Sequence, residues 1–474
     1  MHITLPKIIQ GGMGVGVSNW RLAQAVSRLG QLGVVSGTGL DQVLARRLQD
    51  GDLCGDVRRA LAHFPFPQMA QRMLDMFFVP GGKKPDVPYK TVAKAMIKNH
   101  HWLDELYIVS NFVEVFLARE GHNNPVGINY LEKIQLPHLP AAYGAMLAGA
   151  AVVIMGAGIP VEMPQVLDLL SRHEAATYPI RVIGAKPETD CLRVFDPARF
   201  IEGETPPTLT RPDFLPIISS ESLATMLIRR SGGSVEGFVI EGPLAGGHNA
   251  PPRGPMKLTD DGQPIYGPRD VVNLEAMRKI GLPFWLGGAY GTPEKLREAL
   301  AEGAAGIQVG TAFALCEESG LVPETRRTLV RQALEGHAKV ITDPVASPTG
   351  FPFKVAQMEG SLSDPAVLEK RLKSCELGYL REPYLREDGS IGYRCHAEPT
   401  QAYLAKGGKI EDTVGRRCVC TGLFADIGLG QIQANGEPEP AIITLGDDYA
   451  KIGQFCSLDK LDYTANDVIQ HLLG

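Results

Sequence analysis

Cysteine is scarce in this chain, with eight in 474 residues. That is too sparse for a disulfide scaffold, which packs many half-cystines into a short secreted chain. Excess charge is also lacking. The net charge is −6 and the pI is near 6.0, which gives no electrostatic case for nucleic acid or an anionic membrane as partner. No basic segment followed by a long apolar stretch opens the sequence, so no signal peptide is expected, and a cytoplasmic location follows as the expectation. No internal repeat or low-complexity tract stands out. One uncharged run, Leu139–Val161, is long enough to span a bilayer. It splits into a small-residue helix, 141–149, and a buried strand, Ala151–Met155, and a helix feeding a parallel strand explains it better than a membrane span.

What is present is ordinary globular composition, 44% hydrophobic and 21% charged. It suffices for one large barrel with additions, or for two to three smaller domains. Short β-branched runs recur, most of them ending in glycine. They lie at 7–10, 32–36, 125–130, 151–155, 214–219, 238–241, 283–287 and 306–310, and each reads as a buried strand. Helical spacing or room for a helix follows each one. Ser18 or Asn19 is placed to cap the first helix. Thr292-Pro293 opens another, with Leu296, Ala299 and Leu300 on its inner face. Eight such units predict an α/β fold, a (β/α)8 TIM barrel, in preference to a doubly wound open sheet. The barrel is expected over 1–335, with a helical insertion at about 41–122 and a C-terminal extension over 336–474 packed on it. The insertion holds a Met- and aromatic-rich stretch from Phe64 to Phe78, which either covers the barrel mouth or forms a small core of its own. A short hairpin is expected near Arg181–Gly184, and a turn at Thr259–Gln263.

The most informative stretch is Phe238–His248. A strand ends in two glycines and a histidine, at the end of the barrel where such folds keep their chemistry. A histidine there can serve as a general base; a loop histidine capping a turn is the plain alternative. Two further glycine turns, at 287–291 and 308–311, follow the last two strands. In a barrel they are neighbours, and their exposed N–H groups suit a phosphate.

Taken in order, Pro6–Gly14, Gly127–Asn129, Ala245–His248, Gly287–Gly288 and Gly306–Thr311 resemble the nitronate monooxygenase family, formerly the 2-nitropropane dioxygenases. The related FMN-dependent enoyl-acyl-carrier-protein reductases share the pattern, and the resemblance covers roughly residues 5 to 320. It implies an FMN across the barrel mouth, close to Gly11, Gly12, Met13 and Gly14. Asn129 would hydrogen-bond the flavin, and Glu241, Gly246 and Gly247 would line its other side. Gly287, Gly288, Gly310 and Thr311 would hold the phosphate, and Gln308 and Val309 would also border the cofactor. His248 matches the catalytic histidine, as base or substrate-positioning group. The implied activity is oxidation of alkyl nitronates with O₂, or else reduction of an enoyl thioester with NAD(P)H. Two departures stand out: Glu241 where relatives usually carry Gln, and Leu244 where they usually carry an acid. The partner expected is a small molecule, a nitronate or an enoyl thioester, with room for a homo-oligomer. A phosphate-binding aldolase or isomerase would need a catalytic Lys or paired carboxylates at strand ends. Lys186 lies in an insertion, and no such pair is found. A flavin-bearing scaffold without turnover is the remaining reading.

Cys375, Cys395, Cys418 and Cys420 cluster in the extension. Arg417–Cys420 has strand character, which would turn both thiols to one face. Four thiolates suit zinc or an iron–sulfur cluster. The other spacings are long and no Cys-x-x-Cys pair occurs, so the expectation is no metal and thiols buried as small residues.

Overall fold

The β-branched runs form strands at nearly the expected places. The protein, seen as a computed structural model, is described over residues 5–186, 191–201 and 203–474. The first four strands are β1 Ile8–Gln10, β2 Gly33–Ser36, β3 Val126–Leu131 and β4 Val152–Gly156. A hairpin follows, β5 Ala176–Pro179 with β6 Leu192–Phe195. Then come β7 Asp213–Ile218, β8 Phe238–Glu241, β9 Phe284–Gly287 and β10 Gly306–Val309. Two C-terminal hairpins complete the set: β11 Val340–Asp343 with β12 Phe353–Ala356, and β13 Glu382–Leu385 with β14 Ile391–Arg394.

Eight strands form one parallel sheet in the order β1-β10-β9-β8-β7-β4-β3-β2. The two ends meet, because Gln10 N–H donates to Leu32 O at 3.0 Å and Leu32 N–H to Ile8 O at 3.1 Å. The sheet is therefore a (β/α)8 barrel. Alternate residues of its strands, including Ile9, Val34, Ile154, Val239 and Trp285, form one buried cluster, as side chains pointing into a small barrel must.

The N-terminal helices are α1 Trp20–Arg28, α2 Leu40–Gln49, α3 Asp56–Leu61, α4 Pro67–Phe77 and α5 His101–Arg119. They are followed by α6 His138–Leu147, α7 Met163–Ser171, α8 Glu221–Arg230, α9 Leu274–Ile280 and α10 Pro293–Ala301. The rest are α11 Thr311–Ala314, α12 Pro323–Leu334, α13 Pro365–Lys370, α14 Thr400–Ala405, α15 Val419–Ala425 and α16 Ala465–Leu473. Asn19, not Ser18, caps α1, accepting from Leu22 N–H at 3.0 Å. The uncharged run resolves into α6 and β4. Among the described residues no helix is long and apolar enough to cross a membrane.

Several expectations change. The hairpin lies at β5–β6 and not at 181–184; those residues belong to its connection, where only Ile183 bridges to Tyr384. Leu300 is 37% exposed, so the inner face of α10 is Leu296 and Ala299. Phe64, Phe66, Met69, Met73 and Phe77 are buried in one core with β3, β4 and α6. The insertion therefore neither lines the barrel mouth with these residues nor keeps a core apart from the barrel. Cys418 precedes α15 and Cys420 lies in it. Arg417–Cys420 is therefore a helix start and not a strand, while the Cys418 and Cys420 thiols remain near enough for Cys418 to raise Cys420.

The C-terminal residues complete the barrel wall. α16 packs against α1 and α10. Its Val468, Ile469 and Leu472 share a core with Ile8, Ile307 and Leu296. This is the position next to the first helix that the last helix of a barrel fills. Ile469 is 1% exposed. Ile469→Ala should cost about 2–5 kcal/mol, read by chemical denaturation. A loss within experimental error would mean that α16 is not part of the wall.

Candidate active site

The C-terminal ends of the strands converge on one mouth. The turn after β1 is braced by Ser18, whose hydroxyl donates to Gly11 O and accepts from Met13 N–H, both at 2.8 Å. Gly12 packs directly on Asn129 at the end of β3, where a Cβ would run into the asparagine side chain. Asn129 Nδ2 donates to Gly12 O at 2.9 Å. Its Oδ1 is buried and has no hydrogen-bond partner among the described residues, an acceptor held ready at some energetic cost.

β8 delivers Glu241, which stands opposite Gly287 in the β8–β9 ladder. Burial pushes its carboxyl up to about 8, and no cation offsets the shift. Near neutral pH this side chain is mostly a carboxylic acid, and so resembles a glutamine in charge and hydrogen-bonding capacity.

The loop after β8 is held by C-terminal residues. Lys354 N–H donates to Gly247 O and Asn249 N–H to Pro352 O, both at 2.9 Å. Gly247 N–H donates to Thr444 Oγ1 at 2.7 Å. A Cβ on Gly246 would lie 2.9 Å from the Leu445 backbone. His248 pairs with Phe353 in an antiparallel bridge, with ring centroids 4.8 Å apart. His248 Nε2 lies 2.7 Å from Ser347 Oγ. Burial first, and then the nearby Lys133 charge, lowers the imidazole to about 4. His248 is thus neutral at pH 7, and too weak a base for efficient proton abstraction there.

The turn after β9 takes left-handed conformations at Gly288 (φ 96°) and Ala289 (φ 60°). The turn after β10 carries Gly310 and Thr311. Thr311 Oγ1 accepts from Gly446 N–H at 3.0 Å, and Asp448 also hydrogen-bonds Thr311. Burial pushes the Asp448 carboxyl up, against that bond. The helix expected after this turn is only the four-residue α11, so an anion here would rely on local backbone N–H groups more than on a long helix dipole.

One cavity gathers these pieces. It is lined by Gly11, Gly12, Met13, Gly14, Asn129, Glu241, Gly246, Gly247, His248, Gly288, Gln308, Gly310 and Thr311. Gly287 and Val309 stand behind it. Their carbonyls accept from Gly242 N–H at 3.2 Å and Gly11 N–H at 2.9 Å, and so brace the turns without facing the space. Phe353, Tyr379, Cys420, Leu445, Gly446 and Asp448 also line it. The sequence offered no local signal for these, because they come from the C-terminal third and meet the barrel only in the fold.

Residues 211–347 match the family model described as nitronate monooxygenase. That segment has the sequence pattern of the nitronate monooxygenase family. It holds Glu241, His248 and both glycine turns, while Asn129 and the first turn precede it and Asp448 follows it. A comparison with curated proteins finds no match. Among solved structures, FabK from Thermotoga maritima superposes with a TM-score of 0.48 at 15% identity, over 99% of this chain and 92% of that one. The nitroalkane oxidase of Streptomyces ansochromogenes gives 0.46 at 14%, over 99% and 95%. The enoyl reductase domain of MlnA from Bacillus amyloliquefaciens gives 0.46 at 11%, over 99% and 93%. These superpositions are loose, and the fold assignment rests on the strand order alone.

Among the described residues no group of three or more His, Cys, Asp or Glu side chains is arranged to hold a metal. Burial raises the thiols of Cys375, Cys395 and Cys420, and Cys418 adds to each shift. Thiols of this kind stay protonated at neutral pH.

Glu241 gives a pH test. Its folded value of about 8 lies above the ordinary 4.5, so the folded state holds a proton that the unfolded state releases. Its contribution to stability is full below about pH 4.5 and is lost as pH rises through about 8. Glu241→Gln should therefore gain stability relative to the parent as pH climbs across that range. Denaturation curves at several pH values check this, and an unchanging difference would contradict the buried neutral acid.

Proposed function

We propose that the chain is an FMN-dependent oxidoreductase of nitronate monooxygenase type that oxidises alkyl nitronates with O₂. The observation that carries this reading is the single cavity in which Asn129, Glu241, His248 and the three glycine turns meet, with the family segment running through its core. The residues suit FMN. The close packing of Gly12 on Asn129 leaves flat backbone for the flavin ring, with Asn129 in the cavity lining beside it. Gly288, Gly310 and Thr311 would hold the phosphate. Asp448 also lies at that end, hydrogen-bonded to Thr311, and burial raises its carboxyl. When bound, FMN supplies the redox chemistry, and the protein supplies binding, orientation and electrostatics. Glu241, mostly neutral and without a hydrogen-bond partner among the described residues, would donate a hydrogen bond into the cavity. His248 would orient the substrate. A cytoplasmic location accompanies this reading, in keeping with eight unpaired cysteines among the described residues.

A second reading, reduction of an enoyl thioester with NAD(P)H, is favoured by one observation. A smaller pocket continues from the main cavity past Thr38, Tyr130, Leu131, Ile134 and Tyr379, which line both. Its lining is mostly apolar, as the start of an acyl chain would require. Flavin spectra separate the readings: reduction by NADPH, then reoxidation by a nitronate with O₂ or by an enoyl thioester.

Two variants test the site. A Cβ at Gly288 would approach Gly242 O at 3.2 Å and Ala245 N at 3.3 Å, from a backbone with φ 96°. Gly288→Val should yield folded but colourless protein, and full flavin occupancy in it would remove the phosphate site from this position. His248→Ala should keep the flavin and lose turnover by about 10²–10³-fold, the cost typical of removing one hydrogen-bond donor aimed at the reacting oxygen. Near-parent kcat would exclude such a role.

A further inference from the structure

The His248 ring ends a chain of hydroxyl groups whose direction can be read from its donors. Phe351 N–H donates to Thr349 Oγ1 at 3.3 Å. Thr349 Oγ1 has one other partner, Ser347 Oγ at 2.8 Å. Ser347 Oγ also receives Thr349 N–H at 3.2 Å and lies 2.7 Å from His248 Nε2. A backbone N–H can only donate, so the Thr349 hydroxyl proton has a single acceptor among the described residues, Ser347 Oγ. That oxygen then accepts twice, from the Thr349 hydroxyl and the Thr349 amide, and both its lone pairs are used. Its own proton is left for His248 Nε2. With the reverse polarity, the proton of the half-buried Thr349 hydroxyl would have solvent as its only acceptor besides the described residues.

We propose that Ser347 and Thr349 are positioning residues that hold His248 as the neutral tautomer protonated at Nδ1, so that the ring meets the substrate as a hydrogen-bond donor and not as a base. The assignment of a substrate rests on the nitronate monooxygenase reading; the tautomer does not. His248 lines the cavity, and its Nδ1 has no partner among the described residues. The Nδ1 atoms of His122, His138 and His396 are sealed in the interior without partners, but that of His248 is not. A donor at this place suits an acceptor oxygen with negative charge, present on a nitronate and developing on a thioester carbonyl. Burial and the nearby Lys133 charge, separately from these contacts, oppose the imidazolium. The Ser347 backbone is itself fixed, its carbonyl accepting from Arg416 Nη1 at 2.5 Å and from Gly350 N–H at 3.3 Å. Ser347 is fully buried, so water does not compete for the relay at its centre.

The experiment is nitrogen NMR of the purified full-length protein with ¹⁵N-labelled histidine at pH 7. Signals that disappear in His248→Gln identify the ring. The proposal requires a pyrrole-type, protonated Nδ1 coupled to a pyridine-type Nε2. A protonated Nε2, or two protonated nitrogens, overturns it. Thr349→Val keeps the shape and removes the relay proton; it should mix the tautomers and lower kcat/KM by about 2- to 12-fold, the range for one net hydrogen bond. Ser347→Ala should act in the same direction, and Ser347→Thr, which restores a hydroxyl, should recover the parent tautomer. If Ser347→Ala fails to fold, Thr349→Val carries the test. An unchanged tautomer in a folded Thr349→Val variant overturns the relay. The NMR result does not depend on turnover, so inactivity toward nitronates would refute the functional reading while leaving the tautomer assignment standing.

Discussion

The loop that carries His248 is fastened from outside the barrel. Between β8 and the helix that follows, residues 245–249 have few partners of their own. Their backbone is instead paired with the segment running into β12, through Lys354 N–H to Gly247 O and Asn249 N–H to Pro352 O. Residues 444–447 grip the other side, through Thr444 Oγ1 and through Asp447 N–H, which donates to Leu244 O at 3.0 Å. A glycine-rich loop left alone would sample many conformations. These bonds select one, and the bridge to Phe353 fixes the ring. The C-terminal third is thus part of the site as well as part of the barrel wall.

The cavity's electrostatics follow from its enclosure. Two carboxyls, Glu241 and Asp448, face it, and burial raises both. Lys354, whose N–H holds Gly247 O, pairs its side chain with Asp447 at 2.7 Å and takes no part in the cavity lining. The imidazole is lowered, so Glu241 and His248 are both mostly neutral at pH 7. A cavity of this kind favours hydrogen-bond recognition over ion pairing. The protonated Glu241 carboxyl donates and accepts as a glutamine amide does, until rising pH ionises it.

Much of this was legible in the chain. Eight short β-branched runs ending in glycine are the local signature of barrel strands, and they fell within a residue or two of β1–β4 and β7–β10. The glycine turns and His248 were legible because strand ends and tight backbone leave a compositional mark. Ser347, Phe353 and Asp448 left none, since they reach the site across 100 to 200 residues of chain and belong to no spacing pattern. Arg417–Cys420 was misread because four residues cannot separate a two-residue period from a helix start. The Phe64–Phe78 stretch shows a related limit: an apolar stripe says that a face is buried, but not against what.

The account stands or falls on whether the three glycine turns form a seat for a flavin with its phosphate. Titrating the apoprotein with FMN and with riboflavin, followed by flavin fluorescence, reads this directly. The account predicts one FMN per chain and much weaker binding of riboflavin, which lacks the phosphate. Equal affinities, or no saturable binding of either, would contradict it.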